Sequence, residues 1–264
     1  MMKVSNATAY QISGPEDAPA IVLIHGIGLN RHIWRDYEPE LAQHYRVLSY
    51  DLFGHGDSAA SEKTLSLTVF SEQLRELLDE LGIEQCAVIG FSMGGMINRR
   101  FAMDHPQRCT ALVVLNSPHE RSPDGQRLVE RRAAQTNDGG AAATLQAALE
   151  RWFTPQFLLT QRLKISEVSK WVLATEPNAF RETRQILASG VIELIRPQPP
   201  ITHSTLVMTC ENDSGSTPAM AHAIASEIDG AQTIIIERLK HLGLLEQPAV
   251  FIESITRFLH KALT

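Results

Sequence analysis

Cys86-Ala87-Val88-Ile89-Gly90-Phe91-Ser92-Met93-Gly94-Gly95 runs from a short apolar segment into Gly-x-Ser-x-Gly, and an amphipathic pattern follows at once. That order predicts a strand, a sharp turn and a helix. Glycines at 90 and 94 remove the Cβ atoms that would clash where the chain passes close to itself. Such a turn pushes the serine hydroxyl outward and aims the first helix amides, with the helix dipole, at whatever the hydroxyl attacks. The stretch is a candidate nucleophile elbow. A glycine-rich β-to-α turn without chemistry is the alternative, and the presence of a base, an acid and a second amide donor elsewhere decides between them.

Three further strand ends carry such groups, and they follow the order Ser, Asp, His. The apolar run Ala20–Ile24 ends in His25-Gly26-Ile27-Gly28, a tight turn suited to an oxyanion loop. Thr205–Thr209 leads into Cys210-Glu211-Asn212-Asp213, and Thr217-Pro218 then opens a helix with Thr as N-cap and Pro at the first position. Thr233–Ile236 leads to His241, ahead of a final helix that opens at Pro248. With runs at 46–50 and 110–115, the apolar segments alternate mostly with helical patterns. That alternation predicts an α/β fold, a mostly parallel sheet with helices on both faces, whose strand-end loops share one edge. An antiparallel start is expected between Val4 and Ser13. Helices 68–81 and 249–262 each carry one apolar stripe and are expected to serve the core.

The chain resembles the α/β-hydrolase superfamily over nearly its whole length, through HGIG at 25–28, DLFGHGDS at 51–58, GFSMGG at 90–95, the acid loop near 213 and HLGLLEQP at 241–248. The resemblance implies Ser92 as nucleophile, His241 as general base and acid, and Asp213 as the residue that orients His241. It also implies an oxyanion hole from the backbone amides of Ile27 and Met93. Glu211 stays open as an alternative acid, whereas Asn116, at the end of another strand, cannot supply a carboxylate. Cys210 stands where the family usually has glycine, and Asp213 lies one residue further from Pro218 than in the commonest pattern. His25 and His55 are read as local braces of their turns.

From about Pro118 to Pro200 the alternation stops and the chain becomes helical and polar. This predicts a core of residues 1–117 and 201–264 with a helical lid at 118–200. Trp152, Phe153, Phe157, Trp171 and Phe180 are candidates to line a pocket or to pack the lid helices together. The segment carries many arginines, including Arg121, Arg127, Arg131, Arg132, Arg151, Arg162, Arg181 and Arg184, and one or two are expected to face inward toward a substrate carboxylate. Within the superfamily, HGIGLNRHIW at the front and ERWFTP at 150–155 look most like 3-oxoadipate enol-lactonase. Arg31, Trp34, Trp152 and Phe153 are the pocket residues this likeness nominates.

The implied activity is hydrolysis of a small carboxylic ester or lactone, through an acyl-enzyme. A carbon–carbon bond hydrolase of a vinylogous diketone is the enzymatic alternative, and a ligand-binding module with little turnover is the non-enzymatic one. Ser92 excludes the aspartate-nucleophile branch of the superfamily. The implied mechanism needs no metal or organic cofactor, and the sequence accordingly has no His-Glu-x-x-His, paired Cys-x-x-Cys or Gly-x-Gly-x-x-Gly. The expected partner is a small-molecule substrate. A net charge of −6 argues against nucleic acid, and no apolar run reaches the roughly 18 residues of a membrane span. Three cysteines in 264 residues and a start without an apolar leader make the cytoplasm the expected location.

Overall fold

The computed structural model describes residues 2–4 and 6–263. Its strands are β1 (Met2–Lys3), β2 (Ala9–Ser13), β3 (Ala20–Ile24), β4 (Arg46–Tyr50), β5 (Cys86–Phe91), β6 (Cys109–Leu115), β7 (Ser204–Cys210) and β8 (Gln232–Ile236). They form one sheet in the order β1-β2-β4-β3-β5-β6-β7-β8. Strands β3 to β8 pair in parallel, while β1 and β2 pair antiparallel at one edge. The apolar runs of the sequence therefore are the strands of the sheet, and the antiparallel start is a short hairpin of two strands.

Helices α1 (Glu38–Leu41) and α2 (Leu67–Glu80) precede the elbow, and α3 (Met93–Asp104) follows it. Among the described residues, five α-helices lie between β6 and β7: α4 (Pro123–Gly139), α5 (Ala142–Trp152), α6 (Pro155–Thr160), α7 (Arg162–Ala174) and α8 (Pro177–Ser189). The chain closes with α9 (Pro218–Ser226), α10 (Gly243–Glu246) and α11 (Pro248–Ala262). Among the described residues, no helix is long and apolar enough to cross a membrane.

The two-residue period of the strands splits the core into two layers. Val22, Leu48, Val88 and Leu112 pack with Phe70, Leu74 and Leu77 of α2 and Ile97 and Phe101 of α3. Their neighbours Ile21, Val47, Ala87 and Val113 point the other way and pack with Phe251, Ile255 and Leu259 of α11. Both expected apolar stripes thus cover opposite faces of the sheet, and α2 is opened by Ser66, whose side chain accepts from the Val69 amide.

Strand β5 meets α3 closely enough that a Cβ on Gly90 would stand 2.1 Å from the Gly94 carbonyl oxygen. A Cβ on Gly94 would stand 2.3 Å from the Ile24 oxygen. Both obstacles are backbone, so neither can swing aside. Gly90→Ala is accordingly expected to cost about 3 kcal/mol of stability, because α3 must lift from the sheet. Urea denaturation measures this, and an unchanged midpoint would contradict the close approach.

Candidate active site

Ser92 sits between β5 and α3 with φ 55° and ψ −113°, a left-handed backbone that a non-glycine residue adopts only under constraint. Its own amide donates to the Leu115 carbonyl at 2.8 Å, and its carbonyl accepts from the Gly95 amide at 3.0 Å. The turn is thus tied to β6 on one side and to the first turn of α3 on the other. The strained elbow foreseen at Gly-x-Ser-x-Gly is present.

The loops after β7 and β8 bring a carboxylate and an imidazole to this elbow. Asp213 Oδ2 lies 2.6 Å from His241 Nδ1, and His241 Nε2 lies 3.0 Å from Ser92 Oγ. A carboxylate only accepts, so the imidazole proton is on Nδ1, and Nε2 is left with a lone pair facing the hydroxyl. Asp213 is almost fully buried and receives three more hydrogen bonds, from Asn116 Nδ2 at 2.9 Å, Gly215 N at 2.8 Å and Ser216 N at 3.0 Å. Burial alone would raise its pKa. The neighbouring His241 and these donors outweigh burial, and the carboxyl is held below its ordinary value.

Glu211, the other acid of that loop, points elsewhere. It is exposed, and its carboxylate accepts from the Arg238 amide at 2.8 Å, which braces the loop that carries His241. Asn116, weighed in the sequence only as a failed acid, turns out to be a partner of the acid. It ends β6 with φ 46°, a conformation asparagine tolerates better than most residues, and its amide reaches both Asp213 and Thr209.

The loop after β3 is held by its own histidine. His25 Nδ1 donates to the Gly26 carbonyl at 2.7 Å, and Nε2 accepts from the Leu52 amide at 3.0 Å. His55 bonds to the Phe53 carbonyl at 3.0 Å and lies against the His25 ring. Burial pushes His25 down to about 4 and His55 down to about 3, so both are neutral at pH 7. Unfolded, both would titrate near 6.5, so their contribution to stability is complete above that pH and is lost as pH falls toward 4. Stability is expected to drop by on the order of 4 kcal/mol between pH 7 and pH 4.5 from these two groups. Urea titrations across that range measure it, and a flat profile would contradict the neutral buried pair.

Three of the four nominated pocket residues are corrected by the structure. The Arg31 guanidinium is already paired with buried Asp51 and with Asp57, which pins the chain that follows the β3 loop. Trp34 is fully buried with its ring edge-on to Tyr37, and Phe153 is fully buried and stacked on Phe157. Both belong to the packed layer behind the site. Trp152 does line the cavity above Ser92, together with Ile27 and His241. Its carbonyl accepts from the Leu242 amide at 2.8 Å, which joins α5 to the histidine loop.

The same cavity is lined by Arg121, Arg132, Arg151 and Arg184, four inward arginines where one or two were expected. Arg127, Arg131, Arg162 and Arg181 are exposed. Burial and the charge of Arg132 hold Arg184 at about 10, and burial with Arg132 and Arg184 does the same to Arg151. Arg121 and Arg132 are also lowered, burial being the main cause. All four remain cationic at pH 7. A signal for this existed in the helix phase: Arg184 stands four residues after Phe180, which is buried, and Arg132 stands three residues after Val129, which lines the same cavity. A charge on the apolar phase of a helix is either paired or aimed into a cavity.

The chain matches the α/β-hydrolase fold family over residues 19–248, and it belongs to that family. It is 28% identical to 3-oxoadipate enol-lactonase 1 of Acinetobacter baylyi over 95% of this chain and 92% of that one. It is 26% identical to the (E)-2-((N-methylformamido)methylene)succinate hydrolase of the same organism, over 92% of this chain and 91% of that one. Its structure superimposes on the enol-lactonase of Burkholderia xenovorans with a TM-score of 0.88 at 26% identity, covering 96% of both chains.

Proposed function

We propose that the protein is a serine hydrolase that cleaves a small carboxylic ester or lactone through an acyl-enzyme. The Asp213–His241–Ser92 relay, with its 2.6 and 3.0 Å contacts, is the observation that carries this reading. Neutral Ser92 is a weak nucleophile, so Nε2 of His241 takes its proton as Oγ attacks the carbonyl carbon. Asp213 keeps the imidazole in the required tautomer and stabilises the imidazolium. The carbonyl oxygen becomes an oxyanion that the amides of Ile27 and Met93 receive; Met93 is the first residue of α3, where backbone donors lack intrahelical acceptors. His241 then protonates the departing alkoxide, or the enolate of a lactone. Water attacks the acyl-enzyme with His241 again as base, and Ser92 is released.

Residues 118–200 act as the lid in this scheme, closing over Ser92 and excluding water from the acyl-enzyme. The inward arginines support a substrate that bears a carboxylate, as the enol-lactone reading requires. The test is a panel of neutral esters, neutral lactones, acidic lactones and a vinylogous diketone, run in ¹⁸O-labelled water. Expected is hydrolysis of the acidic lactone in preference to its neutral counterpart, with one labelled oxygen in the acid product. Cleavage of the diketone alone would replace ester chemistry with carbon–carbon hydrolysis, and neutral esters cleaved while acidic lactones stay intact would remove the carboxylate.

A further inference from the structure

We infer that the substrate carries two carboxylates remote from the bond that Ser92 attacks, and that Arg132 and Arg184 hold them, flanked by Arg121 and Arg151. The inference takes its location from the hydrolase reading and adds the charge of the substrate.

The four guanidinium groups come from three separate elements, the strand-to-α4 segment with α4, the end of α5, and α8, and all four line the Ser92 cavity. No carboxylate of the described residues forms an ion pair with any of them. Asp213, the one acid among the described residues of the cavity wall, is fully engaged by His241, Asn116 and two amides. The charge is thus concentrated here, in a chain whose overall balance is −6.

Two of the four have work of their own. Arg121 caps the end of α8 through the Leu187 and Ala188 carbonyls, and Arg151 donates to the Ala147 carbonyl at 2.7 Å. Arg184 is different. It is only 8% exposed, and its Nε is buried without a hydrogen-bond partner, an arrangement that costs stability unless an anion completes it. Arg132 lies close enough to depress both Arg151 and Arg184. Guanidinium takes a carboxylate through two parallel N–H bonds, so one carboxylate satisfies one fork and leaves the neighbouring guanidinium a half-buried cation without a counter-charge. A second carboxylate on the same substrate supplies it.

Calorimetric titration of the wild-type protein with glutarate, butyrate and inorganic phosphate tests this at low salt. Glutarate is expected to bind at least about tenfold more tightly than butyrate, with the gap narrowing as salt rises. In Arg184→Gln and, separately, Arg132→Gln, whose folding is checked by thermal melting, the preference is expected to fall to about threefold or less. Equal affinity for glutarate and butyrate, a preference that survives in both variants, or phosphate binding as tightly as glutarate would overturn the two-carboxylate site. Fluorophosphonate labelling of Ser92 is read in parallel. An unlabelled serine beside intact glutarate selectivity would reject the hydrolase reading and leave the diacid site standing.

Discussion

Ser92→Ala is expected to lower kcat on any substrate the wild-type enzyme turns over by roughly 10⁴-fold or more, with little change in substrate binding. The size follows from the proposed covalent step, since alanine has no oxygen to form the ester and His241 is left with no proton to accept. Residual rate would come only from the amides of the proposed oxyanion hole and from binding. His241→Ala should be about as damaging, and the double variant little worse than either, because the two residues act as one unit. Steady-state kinetics with a folding control measures this. A Ser92→Ala enzyme within tenfold of wild type would mean that the 3.0 Å contact to Nε2 is not catalytic.

Asp213→Asn is expected to reduce kcat by roughly 10³- to 10⁴-fold, while Glu211→Gln should stay within about threefold. Asp213 accepts four hydrogen bonds, two at each oxygen. An asparagine amide keeps only one acceptor oxygen. If that oxygen stays on the two backbone amides, the NH₂ group faces His241 Nδ1 and selects the wrong tautomer, taking the lone pair away from Ser92. If the amide flips, the loop at 213–216 loses its closing bonds. Glu211 holds only the Arg238 amide from an exposed position, so its neutral analogue retains that bond. Kinetics of both variants at equal folding decides the matter, and a larger loss from Glu211→Gln would reverse the assignment of the acid.

Residues next to one another in sequence made the elbow, the strands and the two core helices legible. Gly90 and Gly94 announce a close crossing by type alone, and two-residue or helical periods mark which side chains meet the core. Pairings set by three-dimensional approach were harder to read. Arg31 looked like a substrate contact because nothing in the sequence says that Asp51 and Asp57 return to it. Trp34 and Phe153 looked like pocket walls because an aromatic beside a motif packs inward or lines a cavity with equal ease. Asn116 was judged for what it could not be, and its value as a donor to Asp213 emerges only when β6 and β7 lie side by side. Arg132 and Arg184 were half visible, since helical phase sorts them from exposed neighbours, but only the packing of the helices between β6 and β7 shows that four arginines share one cavity.

The most direct measurement is reaction of the folded protein with a small fluorophosphonate, followed by peptide mass mapping with Ser92→Ala and denatured protein as controls. Stoichiometric labelling confined to Ser92, dependent on the fold and strongly slowed in His241→Ala, is the expected result. A folded wild-type protein left unlabelled, or labelled equally well without His241, would contradict an activated serine at this site.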